Sequence, residues 1–190
     1  LASLLLLAAW GCARAGVVGW LAIAVAAIFG LHVSSFAPPH KSDMRDVAGE
    51  MAPLLHRGDL VISGQPEQVP LGWYYLPSGL QYANTLGPVS DPTHMNWVNA
   101  LSKLQNANPE ATLAPILNSL KPGQQLLYVR PITRFVSDWT APWTRLVRRR
   151  SAQWGAILAS DPHLKPIAWA PHFYYPAYAV ADSAVLYRVN

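Results

Sequence analysis

The hydrophobic pattern divides this chain into two parts. Residues 16–36 (GVVGWLAIAVAAIFGLHVSSF) run for 21 positions without a formal charge and without a polar face. A helix that is apolar all round belongs inside a protein or a bilayer, whereas a surface helix keeps one polar side. At 1.5 Å per residue the stretch covers about 30 Å, the thickness of a hydrocarbon core, so it is predicted to span a membrane. Trp20 and His32 fall toward its ends, where amphipathic rings are tolerated. Residues 1–10 (LASLLLLAAW) are also apolar but too short to cross alone, and read as the tail of a preceding, truncated span. Residues 11–15 (GCARA) would then be the turn of a transmembrane hairpin covering 1–36. The chain opens at Leu1 inside an apolar run with no initiator Met, as expected for a fragment of a longer protein.

From residue 37 onward the periods change. Pro38-Pro39 ends the first helix, since proline lacks the backbone donor and restricts the residue before it. Ser42 is placed to cap a helix reaching about His56, with Val47, Met51, Leu54 and Leu55 as its apolar face. After Arg57-Gly58-Asp59, residues 60–63 (LVIS) are short, apolar and β-branched, as a buried parallel strand requires. A loop is expected over 64–77, a strand over 80–84, a turn at Gly87-Pro88, and helices over 94–105 and 108–120. A strand follows at 125–130, a long helix at 143–158, and a final edge strand at 185–189. This rhythm predicts an α/β fold: a small three-layer domain over residues 37–190 behind the membrane hairpin.

Charge agrees with the division. Residues 1–40 hold one charged side chain, Arg14, and the remainder holds 13 Lys/Arg and 10 Asp/Glu. Arg14 lies in the expected turn, and short basic loops stay cytoplasmic, which places residues 37–190 outside the cell membrane. The net charge of +4 is too mild for a nucleic-acid-binding surface. Two processing signals compete with the hairpin. Small residues around Ser35 and Ala37 suggest a cleaved signal, but the apolar run exceeds the about 7–15 residues of a signal core. Residues 9–12 faintly resemble a lipoprotein box, with Trp10 and Ala9 standing where a small residue and Leu belong. The single cysteine, Cys12, excludes an internal disulfide framework.

Candidate chemistry concentrates after two of the strands, because open α/β sheets bind ligands beyond the carboxyl ends of their strands. Behind the first strand stand Gln65, Glu67, Gln68, Trp73, Tyr74 and Tyr75, a set suited to sugars. Amides and carboxylates bridge vicinal hydroxyls there, and aromatic faces stack on the C–H side of a pyranose. The same aromatics can wedge a loop against the sheet or anchor a domain at a membrane interface. Behind the 125–130 strand stand Arg134 and Asp138, with Arg130 or Arg134 able to meet a phosphate bidentately. Arg134 and Asp138 can equally pair to close their loop. The run Arg148-Arg149-Arg150 suits anionic headgroups or a plain solvated face. Asp43 and Asp46, three apart on a helix, can form a carboxylate pair or simply favour the helix N-terminus. The six histidines are scattered, and no metal-ligand spacing, nucleophile elbow or nucleotide loop is present, so no catalytic residue and no cofactor is assigned.

A last membrane helix followed by residues 40–47 (HKSDMRDV), 58–62 (GDLVI) and 74–77 (YYLP) resembles the C-terminal end of bacterial GT-C-type membrane glycosyltransferases. These are the polyprenyl- or dolichyl-phosphate-sugar-dependent enzymes related to protein mannosyltransferases, and the composition is similar to actinobacterial members. Their tails carry a K-x-D-W-R-x-V-A helix and a G-D-x-V strand, and here Met44 replaces the Trp. The resemblance covers residues 16–77 and is only general beyond them. It implies a multi-pass plasma-membrane enzyme that transfers a sugar from a polyprenyl-phosphate carrier to a glycan or protein acceptor at the outer face. The family's catalytic Asp lies in a first extracytoplasmic loop that this chain does not contain, so the fragment alone is expected to be inactive. The other expectation is a non-enzymatic, membrane-anchored α/β module that binds a glycan or a partner protein.

Overall fold

A computed structural model of the chain describes residues 10, 11, 13–35, 42–132, 140–171 and 181–190, with side chains of 31–35 excepted. The chain forms two compact units, Leu1–His40 and Lys41–Asn190.

In the first unit, α1 (Val17–Ser35) is the helix that the apolar run predicts. The turn falls at Ala15-Gly16, where Gly16 adopts φ 56°, and not at 11–15; Gly11 and Arg14 are already helical. The Arg14 guanidinium lies 4.2 Å from the Trp10 ring centre, a cation–π contact that the sequence did not suggest. The expected helical tail over residues 1–9 lies outside the described residues, as does Cys12. Among the described residues no helix is long and apolar enough to cross a membrane. The membrane span expected over residues 16–36 is therefore not shown by α1.

In the second unit a mixed six-stranded sheet lies between two helical layers. Its strands are β1 (Leu60–Ser63), β2 (Gln81–Asn84), β3 (Gly87–Val89), β4 (Gln125–Ile132), β5 (Leu164–Ala170) and β6 (Ala181–Val189). They lie in the order β3-β2-β1-β4-β6-β5. β1 pairs parallel with both β2 and β4, and the other three pairings are antiparallel. Side chains alternate between the faces, as the pleat requires. Val61, Leu127, Val129, Ala184 and Leu186 pack on α2 (Met44–Met51) and α3 (Val69–Tyr75), through Met44, Val47, Met51 and Val69. Leu60, Ile62, Leu126, Tyr128 and Tyr187 face the opposite way, onto α5 (Pro109–Asn118) and α6 (Pro142–Ser160), through Leu113, Ile116, Trp154 and Leu158. A short α4 (Ala100–Asn106) packs on α6 through Leu104, Leu146 and Val147.

Two local signals act as expected. Asn108 caps α5 by accepting the Ala111 N–H at 2.9 Å, with Pro109 in the first turn where no donor is needed. The Gly58-Asp59 step before β1 has a clear physical role. Gly58 supplies φ 92°, and buried Asp59 accepts the N–H groups of His56 (2.7 Å) and Gln125 (2.9 Å), tying the turn to the start of β4.

Other expectations are corrected. The helix after Ser42 ends at Met51 and tightens into a 3-10 turn over Ala52–Leu54, because Pro53 restricts the residue before it. The N-cap is Asp43 and not Ser42; Ser42 accepts the Met44 N–H at 3.1 Å and its hydroxyl donates to Asp182 Oδ2 at 2.8 Å, so it ties α2 to β6. The loop expected over 64–77 is a 3-10 turn (Pro66–Gln68) leading into α3. Gly87-Pro88 is not a turn but edge strand β3; the turn is Thr85-Leu86, held by Asn84 Oδ1 accepting the Leu86 N–H at 2.8 Å. The helix expected from residue 94 starts at Ala100, after Asn99 in the left-handed region at φ 55°. β6 is no edge strand, since β5 pairs along its outer side. β5 carries Pro166 and a bulge before Ala168, features that an edge tolerates and that hide a strand pattern.

Candidate functional site

β1 is followed through α3 by β2 on one side, and the chain then returns through α4 and α5 to β4 on the other side. The strand order therefore reverses between β1 and β4. In such sheets the crevice beyond the carboxyl ends at this switch point is where ligands bind. Ser63 and Gly64 end β1 there, and the Gly64 N–H donates to Val129 O at 2.7 Å. A Cβ on Gly64 would lie 2.8 Å from Tyr128 Oη and collide with Ser151 Oγ. Glycine is what lets α6 approach this strand end.

On the α2 side of the crevice the chemistry is acidic. Asp182, fully buried in β6, accepts the Ser42 hydroxyl, and its backbone N–H donates to Asp43 Oδ1 at 2.6 Å. Burial pushes the Asp182 carboxyl up to about 7, opposed by the Ser42 bond and reinforced by the charges of Asp43 and Glu67. Asp43 is raised as well, chiefly by desolvation. Asp43 Oδ2 and Asp182 Oδ1 are buried with no hydrogen-bond partner. The carboxylate pair therefore exists, but across elements: Asp43 meets Asp182, while Asp46 is exposed on the outer side of α2.

On the α6 side it is basic. Arg130, whose Nε donates to Ser183 Oγ at 3.3 Å, and Arg148 line a depression of about 340 Å³ together with Ser151 and Ser183. A neighbouring depression of about 780 Å³ shares Arg148 and adds Arg145 and Arg149. The triple-arginine run does not act as one face. Arg149 is exposed, Arg148 is turned toward β4, and Arg150 is buried, donating to Leu104 O (3.2 Å) and Gln105 O (2.8 Å). Arg150 thus closes the C-terminal turn of α4, whose last carbonyls have no helical partner. Ion pairs among the described residues join His56 to Asp59 and His94 to Asp91.

Of the residues singled out in the sequence, Gln65, Glu67 and Gln68 lie at this crevice, just past β1. The Glu67 Oε1 accepts Gln65 Nε2 at 3.1 Å and Trp143 Nε1 at 2.8 Å. Gln65 and Gln68 are buried, each with its amide oxygen unpartnered. Trp73, Tyr74 and Tyr75 do not join them. They sit at the far end of α3, which leads back toward the start of β2, and they are exposed, Tyr74 to 73%. Tyr74 and Tyr75 meet edge to face at 4.9 Å. Arg134 and Asp138 lie outside the described residues. Sequence reasoning missed Asp182, Ser183 and Ser151. Their only signal was position: the first two stand in the apolar run 179–187, where a polar pair interrupts a strand.

Among the described residues no three His, Cys, Asp or Glu side chains are placed to hold a metal ion. The chain matches no family model, and no curated protein matches it.

Proposed function

We propose that this chain is the C-terminal portion of a GT-C-type membrane glycosyltransferase, which moves a sugar from a polyprenyl-phosphate carrier to a glycan or protein acceptor at the outer face of the plasma membrane. The observation that carries the reading is α1. Val17, Val18, Trp20, Leu21, Val25, Ile28 and Phe29 are each more than half exposed and surround a helix without one charged residue. Such a surface needs lipid or protein around it. Two of the short motifs behind the family resemblance make defined contacts: Ser42 and Asp43 fasten α2 to β6, and Gly58-Asp59 leads into β1. In this reading the α/β unit lies outside the membrane and helps to shape the acceptor pocket, while the catalytic carboxylate belongs to an upstream loop.

The test is transfer of labelled sugar from a polyprenyl-phosphate donor by membranes holding the complete gene product. Transfer abolished by replacing an Asp of the first extracytoplasmic loop supports the proposal. Release of the chain from membranes by alkaline carbonate, or a complete product that transfers nothing, overturns it.

The exposed Trp73, Tyr74 and Tyr75 favour a second reading, an anchored module that binds a glycan or partner through α3 without chemistry. Under that reading replacing the three aromatics with Ala abolishes binding. Under the first it leaves transfer largely unchanged, because the aromatics stand apart from the crevice.

A further inference from the structure

We infer that the cleft between β4 and α6 is an oxyanion site built to take a phosphate group. α6 turns Arg148, Ser151, Ala152 and Gly155 toward β4 at the i, i+3, i+4, i+7 spacing of a single helix face. Gly155 makes the close approach possible. A Cβ there would lie 3.3 Å from the Tyr128 ring and 3.7 Å from Arg130 Nη1. The Arg130 guanidinium thus lies against the bare backbone of α6, with its Nε on Ser183 Oγ. Arg148 enters from α6 and lines the same cavity of about 340 Å³, together with Ser151 and Ser183.

Arg130 and Arg148 bring two cationic groups to one cleft, and among the described residues no carboxylate is shown ion-paired with either. Moreover, Arg148 Nη1 is buried without an acceptor. A buried donor without a partner is costly, and a charged one more so. An oxyanion in the cleft supplies the acceptor that Arg148 Nη1 lacks. A tetrahedral phosphate also has an oxygen to spare for the Ser183 hydroxyl, where a carboxylate has only two. The cleft lies at the carboxyl end of β4, one of the two strands that form the switch point. Recognition of the phosphate does not depend on the glycosyltransferase reading. The claim that the phosphate is that of a polyprenyl carrier does rest on it.

The experiment titrates the 190-residue chain in a nonionic detergent with inorganic phosphate, a short isoprenyl phosphate and the matching isoprenyl alcohol. Calorimetry reads binding. We expect saturable uptake of one phosphate per chain, weakened tenfold or more in Arg130→Gln and Arg148→Gln and a few-fold in Ser183→Ala. The remote Arg188→Gln, at the other end of β6, should bind as the wild type does. Far-UV circular dichroism separates loss of the site from loss of the fold. If an arginine variant unfolds, Ser183→Ala and the charge-preserving Arg148→Lys decide. Equal binding of both phosphates marks a site for the group alone, and much tighter isoprenyl phosphate marks a lipid-linked ligand. No saturable binding, binding indifferent to these substitutions, or alcohol binding as tightly as phosphate each overturns the proposal. Phosphate binding by a complete protein that transfers no sugar would leave this site standing and remove the transferase; transfer without phosphate binding would do the reverse.

Discussion

The two sides of the sheet at its carboxyl end share the same strands and carry opposite chemistry. On β6, Asp182 turns to α2 and the next residue, Ser183, turns to α6; on β4, Arg130 also turns to α6. One side is left with buried acceptors that lack donors, Asp43 Oδ2 and Asp182 Oδ1, and the other with a buried donor that lacks an acceptor, Arg148 Nη1. These groups would satisfy each other in solution. The sheet between them forbids it, because side chains of successive strand residues leave on opposite faces. A two-residue period can therefore hold a proton-binding group and an anion-binding group one residue apart. Glu67 links the sides: it raises the proton affinity of Asp182 and accepts the indole N–H of Trp143 from α6.

The acidic side should dominate the dependence of stability on pH. The folded-state proton affinity of Asp182 is raised, from 3.8 to about 7. Its protonated form is therefore favoured by folding, so its contribution is fully present below about pH 4 and is lost as pH rises through about 7. The full span is on the order of 4 kcal/mol. Asp43 is shifted the same way and steepens the slope. Asp182→Asn keeps the shape, holds no charge, and should flatten the profile between about pH 4 and 7. Chemical denaturation at several pH values checks this; an unchanged slope would mean that Asp182 is not the buried proton site.

The basic side should respond most to Gly64→Ala. The added methyl meets Tyr128 Oη at 2.8 Å and the Ser151 side chain, so α6 has to move away from β1. Overpacking of this kind costs about 1–3 kcal/mol. The same shift should weaken phosphate uptake while leaving the pH slope set by Asp182 intact. A variant that changed both would show that the sides are mechanically joined. Next in size is Tyr128→Phe, which removes the hydroxyl donated to Ser151 O at 2.5 Å. It removes a buried hydrogen bond that joins β4 to α6, at about 1 kcal/mol, with no effect on the titration of Asp182. Equilibrium unfolding of both variants, read beside the pH profile, gives the comparison directly.

How much of this was legible in the sequence differs between the two regions for a physical reason. Residues 60–63 and 125–130 announced themselves as strands because both their faces are buried, which forces an unbroken apolar run. Asn108-Pro109 announced a helix start because capping is local. The aromatic cluster misled, since periodicity over 69–75 is one helix turn too short to be told from a loop. Its amides and its rings consequently separate along α3. Asp182 and Ser183 could not be read, because their partners, Ser42 and Arg130, lie 140 and 53 residues away in sequence. The electrostatic character of the crevice is a product of strand order, and strand order is not a local property.

The smallest effect is the most informative about Glu67. Trp143→Phe deletes the 2.8 Å indole bond to its carboxylate. Because Glu67 is half-buried and keeps Gln65 Nε2 as a donor, the loss should be under about 1 kcal/mol. Its value lies in combination. Groups in separate networks give additive free energies, and groups in one network do not. Trp143→Phe and Tyr128→Phe both touch α6 but share no hydrogen-bond partner, so their double variant should be additive. Trp143→Phe and Asp182→Asn lie on opposite sides of the sheet, yet both act on Glu67, so their free energies should deviate from additivity by about 0.5 kcal/mol or more. Additivity in the second pair would remove Glu67 as a link between the acidic and basic sides.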